Sequence, residues 1–353
     1  MKFKIGKTLV GKDAPNFIVA ELSGNHNGEF KRIKKMVYEA KKAGANAIKL
    51  QTYTPDTITL KSNKNDFKII KNSPWKKKGN LWNLYNSAFT PWDWHNKIFQ
   101  LARKLKLEVF SSPFDENAVD LLQTLNCSAY KIASPEINHV PLLEKVAKTK
   151  KPVILSIGLA NITDIKFALK ILKKNGCSKI AILQCVSAYP APIEEQNLRT
   201  IKNIREKFNV VSGLSDHSLG MSSAIASVVL GGSIIEKHFN LDDKKKTVDS
   251  FFSLGVENFK NMVKEIRRTE LALGRINYNI SYSSRKNMNS RRSIYISNKI
   301  NKGDKISRNN VKVVRPNFGL HPKFYKEILD KRINKTLSKG TRFKLNYISR
   351  KRD

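Results

Sequence analysis

The chain has 353 residues, of which 40% are hydrophobic and 27% charged, enough apolar material for a large core and a smaller second domain. This composition excludes a disordered chain, while the formal net charge of +37 raises the question of a nucleic-acid partner. The three cysteines have no paired spacing, so no disulfide framework is expected. No signal-peptide or bilayer-spanning stretch occurs, and we therefore expect a soluble, cytoplasmic protein without a membrane partner.

The excess positive charge is spread unevenly along the chain. Residues 275–353 carry 22 of the 66 basic but only 4 of the 29 acidic side chains. Lys outnumbers Arg by 50 to 16, whereas specific phosphate or base recognition favours Arg. Solvated lysine-rich faces are therefore favoured over a specific nucleic-acid site. A basic C-terminal domain that binds nucleic acid or acidic glycans remains the alternative of another class.

Short apolar runs alternate with amphipathic helical patterns up to about residue 272, which predicts repeated strand-helix units. Eight such units in roughly 260 residues are typical of a closed (β/α)₈ TIM barrel. No GxGxxG follows the first run, which disfavours a dinucleotide-binding sheet. The predicted strands are Phe17–Ala20, Ala47–Leu50, Leu107–Phe110, Ala129–Ala133, Pro152–Leu155, Ile180–Leu183, Val210–Gly213 and Ser233–Glu236.

One connection departs from this repeat. About forty residues, from Thr52 to Pro91, follow the second strand, and loops of this length are usually functional. The connection contains Trp75 and Trp82 and runs into Trp92 and Trp94. This clustering favours either a flap that covers the site or stacks on a sugar, or an aromatic cluster that only pins the loop.

The C-terminal part has a different pattern. Asn, Ser, Tyr and Lys dominate residues 274–290, as expected of a linker. Beyond it, short β segments at Ser293–Ile296 and Val311–Val314 alternate with glycine-containing turns. The predicted organisation is an α/β barrel domain over 1–273, this linker, and a small, mostly β domain over 291–353.

Polar side chains stand at the carboxyl end of every predicted strand, where barrel enzymes place their reacting groups. Lys49 and Lys131 interrupt apolar strands, where an unpaired charge is costly, so a role in binding an anion is favoured over a surface role. Two lysines with several serines predict a phosphate pocket. The strand-end hydroxyls are those of Ser134, Ser156, Ser187, Tyr189 and Ser215.

Two histidines close neighbouring strands of the predicted barrel. His217 and His238 would lie within reach of one divalent ion, with positions left for water and substrate; the alternative is that hydrogen bonds satisfy both rings. Nitrogen ligands favour Mn²⁺ or Zn²⁺ over Mg²⁺. Glu21, Glu136 and Asp249 could act as general acids or bases or could bind sugar hydroxyls, and the residue pattern does not divide these roles.

Long motifs across nearly the whole chain resemble the sialic-acid synthase family. They are ELSGNHNG, AIKLQTYTPDT, FSSPFDENAVD, YKIASPEI, SAYPAP, GLSDHSLG, IIEKHF and RPNFGLHPK. FTPWDWH and FGLHPK are similar to the branch whose sugar substrate is a 2,4-diacetamido-2,4,6-trideoxy-altrose. The N-acetylneuraminate and legionaminic acid branches share the chemistry and remain alternatives.

The resemblance implies condensation of phosphoenolpyruvate with an open-chain N-acylated amino sugar, giving a nine-carbon 2-keto acid and phosphate. It implies Mn²⁺ on His217 and His238, and it makes Glu136, Glu21 and Arg315 the predicted catalytic residues. Asp249 would bind the sugar. The residues that match the phosphoenolpyruvate pocket are Lys49, Lys131, Ser134, Ser156, Ser187, Tyr189 and Ser215.

The C-terminal domain also has a counterpart in that family. Residues from about 291 to 350 resemble the antifreeze-like (SAF) domain. The resemblance implies that Arg315, in the RP motif, reaches the active site of the other subunit in a swapped homodimer. It gives the basic domain a role with an acylated sugar, so no specific nucleic-acid partner is expected.

Overall fold

The computed structural model describes residues 1–243 and 245–349, so the last four residues of the predicted C-terminal domain lie outside the described part. The chain forms two compact units, Met1–Gly274 and a second one that begins at Arg275. Among the described residues, no helix has both the length and the apolar character that crossing a bilayer requires.

The first unit is a closed barrel of parallel strands, which confirms the predicted fold class. An antiparallel hairpin of β1 (Lys2–Ile5) and β2 (Thr8–Gly11), which the apolar pattern did not predict, comes before it. The barrel strands are β3 (Phe17–Glu21), β4 (Ala47–Thr52), β5 (Glu108–Pro113), β6 (Tyr130–Ile132), β7 (Val153–Ser156), β8 (Ile180–Cys185), β9 (Val211–Asp216) and β10 (Ile234–His238). Neighbours in the chain are neighbours in the barrel, and β10 closes onto β3.

Most barrel strands continue further towards their carboxyl ends than the apolar runs predicted. Glu21, Asp216 and His238 thus lie within strands rather than after them. In the register of the sheet, His238 pairs with Glu21, and Lys237 pairs with Asp216. Backbone pairing does not depend on side-chain polarity, so a ladder continues where the apolar run has ended. Several candidate site residues are therefore held by strand hydrogen bonds.

Amphipathic helices cover the barrel with the faces that their periodicity predicted. In the first helix, Ile33, Met36 and Val37 are buried against the strands, and each such side chain contributes about 1.5–3 kcal/mol by leaving water. The helices of this unit are α1 (Phe30–Lys42), α2 (Pro55–Ile58), α3 (Leu81–Ala88), α4 (Trp92–Lys104), α5 (Glu116–Thr124), α6 (Val140–Lys148), α7 (Ile162–Lys174), α8 (Thr200–Phe208), α9 (Ser222–Val229) and α10 (Val256–Leu273).

Gly213 allows β9 and β10 to approach closely below the two histidines. A Cβ atom at this position would lie 2.1 Å from the carbonyl oxygen of Ile234 and 2.8 Å from Cδ2 of Leu183. Any side chain here would push the two strands apart, so the spacing between the strand ends that carry the histidines depends on glycine.

The second unit begins in the predicted linker, where α11 (Tyr282–Arg285) forms a single helical turn. It contains the antiparallel strands β11 (Ser293–Ile296) and β12 (Val311–Val314), and the short helix α12 (Tyr325–Ile328). A separate small core holds it together, formed by Ile294, Ile296, Ile300, Ile306, Val311, Ile328, Ile333, Leu337 and Phe343.

Candidate functional site

The carboxyl ends of the barrel strands surround a cavity of about 430 Å³. All of the predicted site residues line it except Glu21, which contacts Lys49, and Arg315, which belongs to the second unit. The predicted residues that line the cavity are Lys49, Lys131, Ser134, Glu136, Ser156, Ser187, Tyr189, Ser215, His217, His238 and Asp249.

Four buried charged side chains, Lys49, Lys131, Glu21 and Glu236, form what we call the floor cluster. Lys49 Nζ lies 2.6 Å from Glu21 Oε2 and 3.5 Å from Glu236 Oε1, and Lys131 Nζ lies 3.9 Å from the same Glu236 oxygen. Two positive and two negative charges therefore compensate one another where solvent cannot. Strand alternation explains the convergence, because all four occupy inward-facing positions on β3, β4, β6 and β10.

The two lysines of the floor cluster differ in their electrostatic surroundings. Burial lowers the pKa of both, but Glu21 and Glu236 outweigh this effect at Lys49 and raise its pKa. At Lys131, burial together with the positive charge of Lys49 outweighs the opposing effects of Glu236, Cys185 and Glu21, so its pKa is lowered. Lys131 also donates to Ser156 Oγ at 2.7 Å. Lys131 therefore gains more from an incoming anion than Lys49 does.

Hydroxyl groups surround the floor cluster. Ser215 Oγ donates to Glu236 Oε1 at 3.2 Å, and Ser134 Oγ accepts from the backbone N–H of Leu159 at 2.6 Å. Within the described residues, Ser187 Oγ is buried and has no hydrogen-bond partner, and the same holds for Glu236 Oε2. Buried polar atoms without partners are rare, so these two fit a cavity that is completed by a polar ligand.

His217 and His238 lie side by side at the cavity edge, with ring centroids 5.3 Å apart. Nδ1 of His217 lies 2.9 Å from the carbonyl oxygen of Val186, which leaves Nε2 of that ring to bind a ligand. Nδ1 of His238 is buried without a hydrogen-bond partner among the described residues, at 3.8 Å from Asp249 Oδ2.

The electrostatics of the two rings bear on cation binding. Burial and the neighbouring charge of His217 hold the pKa of His238 well below its usual value, so this ring is neutral, as a metal ligand must be. Burial also lowers the pKa of His217, but Cys185 and the Val186 carbonyl raise it overall, so cation binding there would release a proton. In the described part of the chain, no three or more His, Cys, Asp and Glu side chains are grouped to hold a metal. The two neighbouring rings, with Nε2 of His217 and Nδ1 of His238 not hydrogen-bonded among the described residues, fit an open site that has other positions for water or substrate.

Two carboxyl groups in the cavity have pKa values near neutrality. Burial raises the pKa of Glu136 to about 7, although the charge of Lys131 opposes this. Burial raises the pKa of Asp249 to about 6, although a hydrogen bond from Ser23 opposes it. Groups that titrate near neutral pH are suited to give and take protons during a reaction.

The outer part of the cavity is lined by what we call the aromatic wall, whose residues come mainly from the long connection between β4 and α4. Trp75 crosses the mouth: its Nε1 donates to the carbonyl oxygen of Val248 at 2.9 Å, and its ring lies 5.6 Å from that of Tyr189. The members of the wall are Tyr53, Ile58, Trp75, Leu84, Tyr85, Ala88 and Phe114.

The other tryptophans of this region hold the connection in place. Trp82 Nε1 donates to Asp56 at 2.8 Å, Trp92 Nε1 donates to the carbonyl of Tyr53 at 3.2 Å, and the Trp94 ring packs edge-on against other rings. Trp75 thus lines the cavity, and Trp82 and Trp92 hold the connection through their indole N–H groups, while stacking of a tryptophan on a sugar stays a prediction.

Two kinds of site residue were given no role from the sequence, although Glu236 was among the polar residues at the strand ends. Glu236 stands two positions before His238 on the same strand, so the period of two would have turned it into the cavity. The aromatic wall gave no such signal, because its members, such as Tyr53, Leu84 and Phe114, belong to different segments that only the folded connection brings together.

Comparisons with known proteins agree with this architecture. A model described as the NeuB family matches residues 36–278, and one described as the SAF domain matches residues 291–344. The pseudaminic acid synthase of Helicobacter pylori is 45% identical over 337 residues, covering 95% of this chain and 98% of that protein. That of Campylobacter jejuni is 46% identical over 332 residues, covering 94% and 96%.

A solved structure supports the match along the full length. The spore coat polysaccharide biosynthesis protein spsE of Bacillus subtilis superimposes with a TM-score of 0.67 at 32% identity, covering 99% of this chain and 100% of that one. The resemblance seen in the sequence motifs is therefore confirmed: this chain belongs to the NeuB family.

Proposed function

We propose that this protein condenses phosphoenolpyruvate with an open-chain N-acylated amino sugar, and that it acts as a pseudaminic acid synthase. The observation that carries the proposal is that an anion pocket, an imidazole pair and a carboxyl group with a pKa of about 7 meet in one cavity. The identity of 45% to a protein named pseudaminic acid synthase supports the choice of product. The sugar would then be 2,4-diacetamido-2,4,6-trideoxy-L-altrose.

The floor cluster and the surrounding hydroxyls would bind phosphoenolpyruvate. Lys49 and Lys131 would contact the oxygens of the incoming anion, Ser187, whose hydroxyl has no partner among the described residues, would donate to them, and Ser215 lines the same part of the pocket. When phosphate leaves, the same lysines stabilise the negative charge that grows on its oxygens. Ser134, Ser156 and Tyr189 complete this part of the pocket.

His217 and His238 would hold a divalent cation. Imidazole ligands favour Mn²⁺ or Zn²⁺ over Mg²⁺, and we propose Mn²⁺ because the resemblance to the family implies it. When bound, such a cation acts as a Lewis acid that polarises an aldehyde carbonyl. Asp249 lies beside His238, and Glu21 beside Gln51, so both carboxylates are close to where the sugar would lie.

The proposed reaction forms one carbon–carbon bond and breaks one carbon–oxygen bond. C3 of phosphoenolpyruvate attacks the aldehyde carbon of the sugar, and the aldehyde oxygen takes up a proton to become a hydroxyl group. Water adds at C2, and cleavage of the bond between C2 and the phosphate oxygen leaves a keto group and inorganic phosphate. Glu136 is about half protonated at neutral pH, so it can give the first proton and accept one from the water.

The aromatic wall favours a sugar with few free hydroxyls. Ile58, Leu84, Ala88 and Phe114 present no hydrogen-bonding side-chain groups, and they line the cavity opposite the polar floor. A methyl group at C6 and acetamido methyl groups suit such a surface, whereas a free C6 hydroxyl would lose its water there without gaining a partner.

We also propose that the protein acts as a homodimer in which Arg315 of the C-terminal domain completes the site of the other subunit. Arg315 is exposed on the second unit, and its arginine side chain suits a polar or anionic substrate group. The proposal includes a cytoplasmic location, which the three free and buried cysteine thiols support.

Mixing two inactive variants tests the exchange of Arg315. Lys131→Met and Arg315→Ala should each be inactive as folded dimers, because each lacks one half of a composite site. After unfolding and refolding together, mixed dimers should recover about a quarter of the wild-type sites. Activity of Arg315→Ala alone at the wild-type level, or no recovery on mixing, would contradict the exchange.

Measurement of phosphate release tests the proposed reaction. Release should require both phosphoenolpyruvate and the diacetamido sugar, and it should stop when EDTA removes divalent cations. A parallel panel with N-acetylmannosamine and the legionaminic acid precursor decides the sugar. The pseudaminic assignment fails if either of these gives the highest kcat/KM, and full turnover in EDTA would rule out the cation on His217 and His238.

A further inference from the structure

An ion pair lies in the barrel wall directly behind the two histidines, and the proposed reaction does not use it. Asp216 is the last residue of β9 and directly precedes His217, Lys237 precedes His238 on β10, and Asp216 and Lys237 are register partners. Successive side chains of a strand point to opposite faces, so the histidines face the cavity while Asp216 and Lys237 face outwards. Both side chains of the pair are 0% exposed.

The pair forms a closed network with the turn that follows His217. Lys237 Nζ lies 2.8 Å from Asp216 Oδ2 and also donates to the carbonyl oxygen of Ser218. Asp216 Oδ1 accepts from the backbone N–H of Ser218 at 2.9 Å and from its hydroxyl at 2.6 Å. Lys237, which precedes His238, is thus bonded to Asp216 and Ser218, the two residues on either side of His217.

Stability alone does not account for charges at this position. An apolar pair of similar volume in a buried wall is often as stabilising as an ion pair, but it does not select one geometry. Here the directional bonds fix β9 against β10 one residue before each histidine, and Gly213 keeps the two strands close further down. We infer that the Asp216–Lys237 ion pair positions His217 and His238 as two ligands of one divalent cation.

This inference rests on the proposed cation at the two histidines, but it concerns residues that touch neither the cation nor the substrate. Outer partners that orient metal-binding histidines typically contribute about 10- to 100-fold to metal affinity. We therefore expect a similar loss when the charges and directional bonds of the pair are replaced. The floor cluster, which lies on the cavity side, should bind phosphoenolpyruvate as before.

The test uses the full-length protein without substrates and measures Mn²⁺ binding by the electron paramagnetic resonance signal of free Mn²⁺. In the double variant Asp216→Asn/Lys237→Gln, which leaves no unpaired charge, the Kd for Mn²⁺ should rise about 10- to 100-fold. The matched control is Asp120→Asn/Lys145→Gln, which makes the same changes in a partly exposed pair between α5 and α6. Its Kd should stay within about twofold of wild type.

Circular dichroism establishes whether the double variant is folded. If it is folded and its Kd for Mn²⁺ equals that of wild type, the inference is overturned. If it does not fold, Asp216→Glu decides instead, because it keeps both charges but lengthens the side chain that joins β9 to Lys237. A rise in Kd of about threefold supports the inference, and an unchanged Kd overturns it. His217→Ala separates the two proposals, because equal Mn²⁺ binding by this variant and wild type would reject the cation site itself and, with it, the inference.

Discussion

The floor and the outer wall of the cavity are built in different ways. The floor cluster comes from side chains on barrel strands, fixed by parallel ladders and by mutual ion pairs of 2.6 to 3.9 Å. The aromatic wall comes mainly from a connection with two short helices, held by edge-on ring contacts and by bonds from tryptophan N–H groups. Residues of the aromatic wall can therefore be substituted without altering the charged side chains of the floor cluster.

This difference suggests a division of roles. Groups that we propose to meet the part of the reaction common to the family, phosphoenolpyruvate and the aldehyde, lie on the strands. Groups that would meet the variable end of the sugar lie on the connection, where insertions and substitutions disturb the core least. Substitutions in the floor should therefore reduce turnover of every sugar, and substitutions in the wall should change the ranking of sugars.

Loss of Lys131 should give the largest effect. Lys131→Met keeps the length of the side chain but removes a charge that would stabilise the departing phosphate, so kcat/KM should fall by about 10³-fold for every sugar tested. Lys148→Met, the same change at an exposed position of α6, serves as the control and should be neutral. A fall in kcat/KM for one sugar only would contradict the proposed division of roles between the floor cluster and the aromatic wall.

Substitution of Glu136 should reduce kcat by about 10²-fold, because the group that we propose to transfer protons is lost. The wild-type pH profile should show an ionisation near 7, the pKa to which burial raises Glu136, and the Glu136→Gln profile should lack it. Persistence of that ionisation in the variant would assign it to another group.

The same variant should be more stable than wild type in alkaline solution. The folded-state pKa of about 7 lies above the usual 4.5, so the folded protein binds more protons between these values, and its free energy of unfolding falls as pH rises through this window. Glutamine does not ionise, so the variant does not lose this free energy of unfolding as pH rises. Thermal unfolding of Glu136→Gln should therefore show a gain of about 3 kcal/mol at pH 8 and none at pH 4.5.

A polar substitution in the aromatic wall should give the smallest effect and the most selective one. Leu84→Asn introduces an amide of similar size, so the preference in kcat/KM for the diacetamido sugar over N-acetylmannosamine should fall by about tenfold. Leu60→Asn is the control, since Leu60 belongs to the same connection but is exposed and does not line the cavity. Equal losses with both sugars would mean that Leu84 supports the fold rather than the choice of substrate.

The barrel and most of its floor could be predicted because strands show recognisable apolar runs in the sequence, and the polar residues that follow each run mark the strand ends. Lys49 and Lys131 stand out as charges inside apolar runs, and the structure buries both. The wall could not be predicted in the same way. Contacts such as those of Tyr53 with Tyr85 and Phe114 depend on how one long connection folds, and no periodicity encodes that path.

The N-terminal hairpin and the exact ends of the strands also could not be predicted from the hydrophobic pattern. β1 and β2 are short and only partly apolar, and the strands carrying Glu21 and His238 continue into polar residues. Hydrophobic patterning reports burial of side chains, whereas the extent of a strand is decided by its backbone partner.

The equal numbers of positive and negative charges in the floor cluster have a thermodynamic consequence. The chain carries a large positive excess, yet the charges of the floor cluster already balance, because Glu21 and Glu236 act as internal counter-ions for the two lysines. A substrate with several negative charges therefore brings more charge than the pocket can match, and its binding should be linked to the uptake of protons or of a cation. Glu136, with its pKa near neutrality, is placed to take up such a proton.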